Sequence, residues 1–101
     1  SSVGVMVRAM DTLAKRVRYL RESAGIGQRE ADRLAGIVRG FSGSLEREEV
    51  AEPTASRLAA LAGVYGVAVE WLLTGKGETP SPRAVAIAAA NRHADLAEVS
   101  R

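Results

Sequence analysis

The residues Gln28-Arg29-Glu30-Ala31-Asp32-Arg33-Leu34-Ala35-Gly36-Ile37-Val38-Arg39-Gly40-Phe41-Ser42-Gly43-Ser44-Leu45-Glu46-Arg47 carry the most informative pattern in the chain. Its first part predicts a short helix in which Ala31, Leu34 and Ala35 share one face at helical spacing. Gly36 follows, and without a Cβ it can take the left-handed conformation that ends a helix. Ile37 is then placed to plug the angle to a second helix, on which Phe41 and Leu45, four apart, share a face. Two short helices hinged at a glycine, each with an apolar face, predict a helix-turn-helix.

Upstream, residues 1–10 read as a lead-in, too short and too little apolar for a secretion signal. Asp11 or Thr12 can cap a first helix that runs to about Ser23 and buries Leu13, Val17 and Leu20. Lys15, Arg16, Arg18 and Arg21 fall off that stripe, some of them as plain solvent-facing charges. Downstream, residues 48–52 form an acidic loop stopped by Pro53. Thr54 can cap a fourth helix to about Tyr65, burying Leu58, Leu61 and Ala62. Gly66 ends it, and a short fifth helix over 69–73 seals the core with Trp71, Leu72 and Leu73. The first unit thus spans residues 11–75, and residues 76–80 form a linker. Ser81 and Pro82, a capping residue followed by proline at the first helical position, start a last helix within residues 81–101. Val85, Ala88, Ala89, Leu96 and Val99 can share a face of it, interrupted by Arg92. That face packs either on its own domain or on a second copy of the chain, and its small residues favour the second as a dimerisation element.

At 101 residues the chain holds one domain, an α-helical one with a small core rich in Leu, Val, Ile and Ala. It has no cysteine, hence no disulfide or thiolate metal site, which fits a reducing, cytoplasmic compartment. No apolar run approaches the ~20 residues of a membrane span. Net charge is only +2, but residues 1–47 carry nine Lys/Arg against five Asp/Glu, and residues 48–101 five against seven. The basic half is the half that carries the motif, as a phosphate-facing surface requires.

Residues 13–75 resemble the lambda-repressor-like, Cro-type helix-turn-helix domain (XRE family). The resemblance is carried by Leu13-Ala14-Lys15-Arg16-Val17-Arg18-Tyr19-Leu20-Arg21, by Gln28 at the start of the motif, by Leu34-Ala35-Gly36-Ile37 and Leu45-Glu46-Arg47, and by the closing Tyr65-Gly66-Val67-Ala68-Val69-Glu70-Trp71-Leu72-Leu73-Thr74-Gly75. It implies an all-α, five-helix domain, here followed by an additional C-terminal helix. The chain departs from the family at Asp32 and Ser42, which stand where an apolar pair usually meets between the two helices. A buried carboxylate needs a hydrogen-bond partner. Asp32 is therefore expected to accept from the Ser42 hydroxyl or from a backbone N–H opening the second helix, such as that of Val38 or Arg39. Gly40 and Gly43 fall inside the expected second helix, where each costs about 1 kcal/mol of helix propensity relative to alanine.

The resemblance also implies function: a sequence-specific DNA-binding transcriptional regulator of bacterial or phage repressor type, working on double-stranded DNA as a homodimer. Carried over by position, Gln28 contacts a phosphate and braces the second helix. The free N–H groups and dipole of a helix start suit that role. The base-facing positions are Val38, Arg39, Gly40, Gly43 and Ser44. Arg39 is the one strong reader, because its forked guanidinium matches guanine O6 and N7. Arg18, on the first helix, lies beside the DNA backbone, Arg29 is a further DNA-binding position, and Arg47 is either a phosphate contact or a mate for Glu46 or Glu48. An enzyme is not expected. His93 is the only histidine, Gly40 and Gly43 lack the Lys-Ser/Thr of a nucleotide loop, and no cofactor or metal site is indicated. The alternative reading is a helix-turn-helix used as a protein-interaction module, such as an antitoxin-like partner-binding protein.

Overall fold

A computed structural model describes residues 10–99, apart from the side chain of Val99. The expectation of a lead-in over 1–10 therefore falls outside the described residues except at Met10, and the packing role expected of Val99 lies outside them altogether. The described chain forms six helices and no strand: α1 Leu13–Ala24, α2 Gln28–Ala35, α3 Phe41–Glu46, α4 Ala55–Tyr65, α5 Val69–Thr74 and α6 Pro82–Val99. The architecture is all-α, and no helix is long and apolar enough to cross a membrane.

Local chemistry sets the helix ends. The Thr12 hydroxyl accepts from Lys15 N at 3.2 Å and starts α1, while the Ser81 hydroxyl accepts from Ala84 N at 3.1 Å and starts α6. Thr54 is the N-cap of α4 but makes no side-chain capping bond. Gly36 ends α2 in the left-handed conformation (φ 68°), and Ile37 N donates back to Asp32 O at 3.1 Å. That paired closure of a helix end turns the chain sharply.

One core joins α1 to α6. Val17 and Leu20 of α1, Ala31 and Leu34 of α2, and Phe41 and Leu45 of α3 are buried in it. So are Leu58, Leu61, Val64 and Tyr65 of α4, and Trp71 and Leu72 of α5. Leu73, expected in the core, is instead 52% exposed. It sits one position past Leu72, and on a helix of one and a half turns that rotates its side chain out of the seam.

Arg16 is also not a solvent-facing charge. It is buried, and its guanidinium donates to Leu72 O at 2.7 Å, Leu73 O at 3.1 Å and Met10 O at 3.0 Å. The orphan carbonyls near the end of α5 are thereby satisfied by a side chain from α1. Burial pulls the Arg16 guanidinium down from its ordinary value, with the nearby Asp11 charge opposing that shift.

The last helix folds back on its own chain, against α1, α4 and α2. Val85 is fully buried, Ala89 nearly so, and Leu96 is partly buried against the same core. Ala88 comes so close to the end of α4 that a Cβ on Gly66 would lie 2.8 Å from its own Cβ. Arg92, which interrupts the apolar stripe, donates from Nε to Leu34 O at 3.0 Å and covers the end of α2. Tyr19 reaches across to the linker, its hydroxyl donating to Pro80 O at 2.6 Å. The expectation that Val85 meets a second copy is thus corrected: the core of a small domain has an open side, and α6 closes it.

Candidate nucleic-acid interface

The expected interface is built on α2, the turn 36–40 and α3. The second helix is shorter than expected, beginning at Phe41, because Gly40 is its N-cap with φ 100° and stands outside it. Gly40 therefore costs no helix propensity and supplies a left-handed backbone position that a side chain would strain. Val38 and Arg39 likewise belong to the turn.

Asp32 is the clamp of this turn. Its residue is only 2% exposed, and both carboxylate oxygens are used: Oδ2 accepts from Gly40 N at 2.9 Å and Oδ1 from Ser42 N at 3.0 Å. The expected partner class, a backbone N–H opening the second helix, is found, but at Gly40 and Ser42 rather than Val38 or Arg39. The Ser42 hydroxyl is buried and has no hydrogen-bond partner among the described residues. A carboxylate at the N-terminus of α3 caps two of its free N–H groups and opposes the positive end of its dipole.

The other end of α3 is braced through Glu46. Its side chain has no exposed surface, and Arg21 grips it with two nearly parallel bonds, Nε to Oε2 at 2.7 Å and Nη2 to Oε1 at 2.9 Å. Arg18 Nε and Gln28 Nε2 each donate to Oε1 at 3.3 Å. Burial pushes the Glu46 carboxyl up, but the hydrogen bonds and charge of Arg21, with Gln28 and Arg18, outweigh it and hold the carboxyl below the usual carboxylate range. Arg21 in turn is held above its ordinary value, first by its hydrogen bond to Glu46. This hub stands outside the site residues expected from the sequence. The available signal was spacing: Glu46 follows Ser42 by one helical turn, on the inward side, with two arginines one turn apart on α1.

The structure brings several expected residues together. Gln28 and Arg47 close over Gly43, where an added Cβ would lie 3.0 Å from Gln28 Oε1 and 3.1 Å from Arg47 Nη1. Gly43 is buried beneath them, so the expectation that it faces a base is corrected: it is the seat of two side chains. Arg18, 54% exposed, reaches the same patch through Glu46. Arg47 pairs with Glu49 at 3.0 Å, rather than with Glu46 or Glu48. Ser44 is partly exposed, and Val38, Arg39, Gly40 and Arg29 are exposed. The strip along α3 therefore has Val38, Arg39 and Gly40 at one end and Gln28, Arg47 and Arg18 at the other.

Comparison with protein-family models, with curated proteins and with solved structures finds no match to this chain.

Proposed function

We propose that the chain is a sequence-specific DNA-binding regulator with a lambda-repressor-like helix-turn-helix, offering α3 and the turn before it to the major groove. The observation that carries this reading is the strip along α3. A guanidinium with no partner among the described residues, that of Arg39, stands at its turn end. At its other end the buried Glu46 carboxylate gathers the Gln28 amide with Arg18 and Arg21, Arg47 lying alongside over Gly43. Phosphate contacts fix register without reading sequence, whereas a guanidinium in the groove reads guanine. Gln28 suits the first role further, because Gly27 caps α2 without a side-chain bond and leaves that helix start open.

The test is titration of fluorescent duplexes with the full chain over a salt series. Expected is a binding constant whose logarithm falls linearly with log salt concentration, above which one sequence class stands out. Arg39→Ala should weaken binding to that class by about 1–3 kcal/mol and flatten discrimination at one base position. Gln28→Ala and Arg18→Ala should weaken binding to all sequences alike. Equal affinity for every sequence would overturn the regulator reading.

A homodimer on two half-sites belongs to the same proposal, since few reading groups per copy gain most from linked binding. Its contact lies off the inward face of α6. Of that helix, Ile87 presents an apolar side chain outward, 52% exposed. One observation favours a second reading, the protein-interaction module. Five of the six α3 residues are buried, leaving Ser44 as the helix's outward side chain. Absence of any salt-dependent duplex binding would select that reading.

A further inference from the structure

Resting on the DNA-binding reading, we propose that the base-reading element is the turn 38–40 rather than the outer face of α3. Asp32 is its positioning residue, and its ligand is a pyrimidine C5-methyl group beside a guanine.

The helix has little to read with. Phe41, Ser42, Gly43, Leu45 and Glu46 are all buried, and Gln28 and Arg47 lie across Gly43. The turn is the opposite. Val38 is 57% exposed, and Arg39 is exposed with no hydrogen bond or ion pair among the described residues.

The turn is also fixed, and one residue fixes it at both ends. Asp32 O accepts from Ile37 N at 3.1 Å, Oδ2 from Gly40 N at 2.9 Å and Oδ1 from Ser42 N at 3.0 Å. Within that frame Phe41 N donates to Val38 O at 3.2 Å. A reading loop already held in shape loses little freedom on binding, so its contacts appear as discrimination. An apolar pair at 32 and 42 would leave the Gly40 and Ser42 N–H groups without these acceptors.

The chemistry of the ligand follows from the two side chains. Adjacent residues have Cα atoms about 3.8 Å apart, close to the ~3.4 Å rise between base pairs, so neighbours in the turn can meet neighbouring bases. Arg39 supplies a fork for guanine O6 and N7. Val38 supplies an apolar surface with no hydrogen-bonding capacity, and a pyrimidine C5-methyl is the apolar feature of the major groove. Thymine carries that methyl, and so does 5-methylcytosine; uracil and cytosine do not.

The experiment selects sites for the full chain from randomised duplexes and then alters the preferred site atom by atom. Thymine is compared with uracil, 5-methylcytosine with cytosine, and guanine with 7-deazaguanine. Expected is a loss of about fourfold without the methyl and on the order of tenfold without N7. A methyl effect in the thymine pair assigns thymine, one in the cytosine pair assigns 5-methylcytosine, and one in both assigns the methyl itself. Asp32→Asn keeps a capping side chain but loses one acceptor. It should lower affinity for the selected site toward that for random DNA, leaving random-DNA affinity and salt slope unchanged; a merely structural role would lower both. Specific binding indifferent to both the methyl and N7 overturns this inference alone. The wild-type arms read that result without any variant. Absence of salt-dependent duplex binding overturns the DNA-binding reading, and this inference with it.

Discussion

Truncation after Gly77 is expected to cost the domain about 3–5 kcal/mol and so to lower its melting temperature by roughly 15–30 °C. Burying a valine fully contributes about 1.5–3 kcal/mol, and Val85 is fully buried, with Ala89 beside it. The rest of the loss comes from the other side of the same contact, where core residues of α1, α2 and α4 become wet. Two hydrogen bonds also go: Arg92 Nε to Leu34 O at the end of α2, and the Tyr19 hydroxyl to Pro80 O in the linker. Small domains have about 5–15 kcal/mol in hand, so the truncated chain should melt early and broadly. Circular dichroism on heating and urea titration would measure it. Val85→Ala should reproduce about 2 kcal/mol of the effect, whereas Ile87→Ala on the outward face should stay within about 0.5 kcal/mol. A truncated chain that melts as sharply and as late as the full one would show that α6 is an appendage.

Glu46→Ala is expected to be the most damaging substitution of a single polar residue, at about 3 kcal/mol. It leaves the Arg21 guanidinium, whose side chain is 17% exposed, with Ile26 O as its remaining partner at 3.1 Å. A cation stripped of its buried counter-charge costs more than the pair contributed, so Glu46→Met combined with Arg21→Met should recover much of the loss. The wild type should also show a characteristic acid limb. The Glu46 carboxyl sits below the usual range in the folded chain, whereas an unfolded chain binds that proton near pH 4.3. The stabilisation is therefore fully present above about pH 5, and it is lost as pH falls through the folded-state value. In Glu46→Gln that part of the acid dependence should vanish, leaving a shallower fall in urea midpoint below pH 4. An identical acid limb in variant and wild type would refute the assignment. Because Gln28 and Arg18 share the same carboxylate, Glu46→Gln should also weaken duplex binding without changing which sequence is preferred.

The helices and most of their inward faces follow from residue order alone. Periodicity placed Val17 and Leu20, Leu34, Leu58 and Leu61, and the glycine at 36 marked the turn because few other residues reach that backbone region without strain. The side-chain caps Thr12 and Ser81 were legible for the same reason: they act on N–H groups two or three residues away. The need of Asp32 for a hydrogen-bond partner, the Ser42 hydroxyl or a backbone N–H, was legible too, since a carboxylate between two helices cannot stand alone. Which N–H groups it takes was not, because that depends on Gly40 leaving the helix. Packing alone sets whatever joins residues distant in the chain. It makes Arg16 the cap of a helix 56 positions away. It made Glu46 the meeting point of Arg18, Arg21 and Gln28. It also sent α6 onto its own core: an apolar face specifies only that it must be buried, and which surface it covers is fixed by where the other helices leave theirs open.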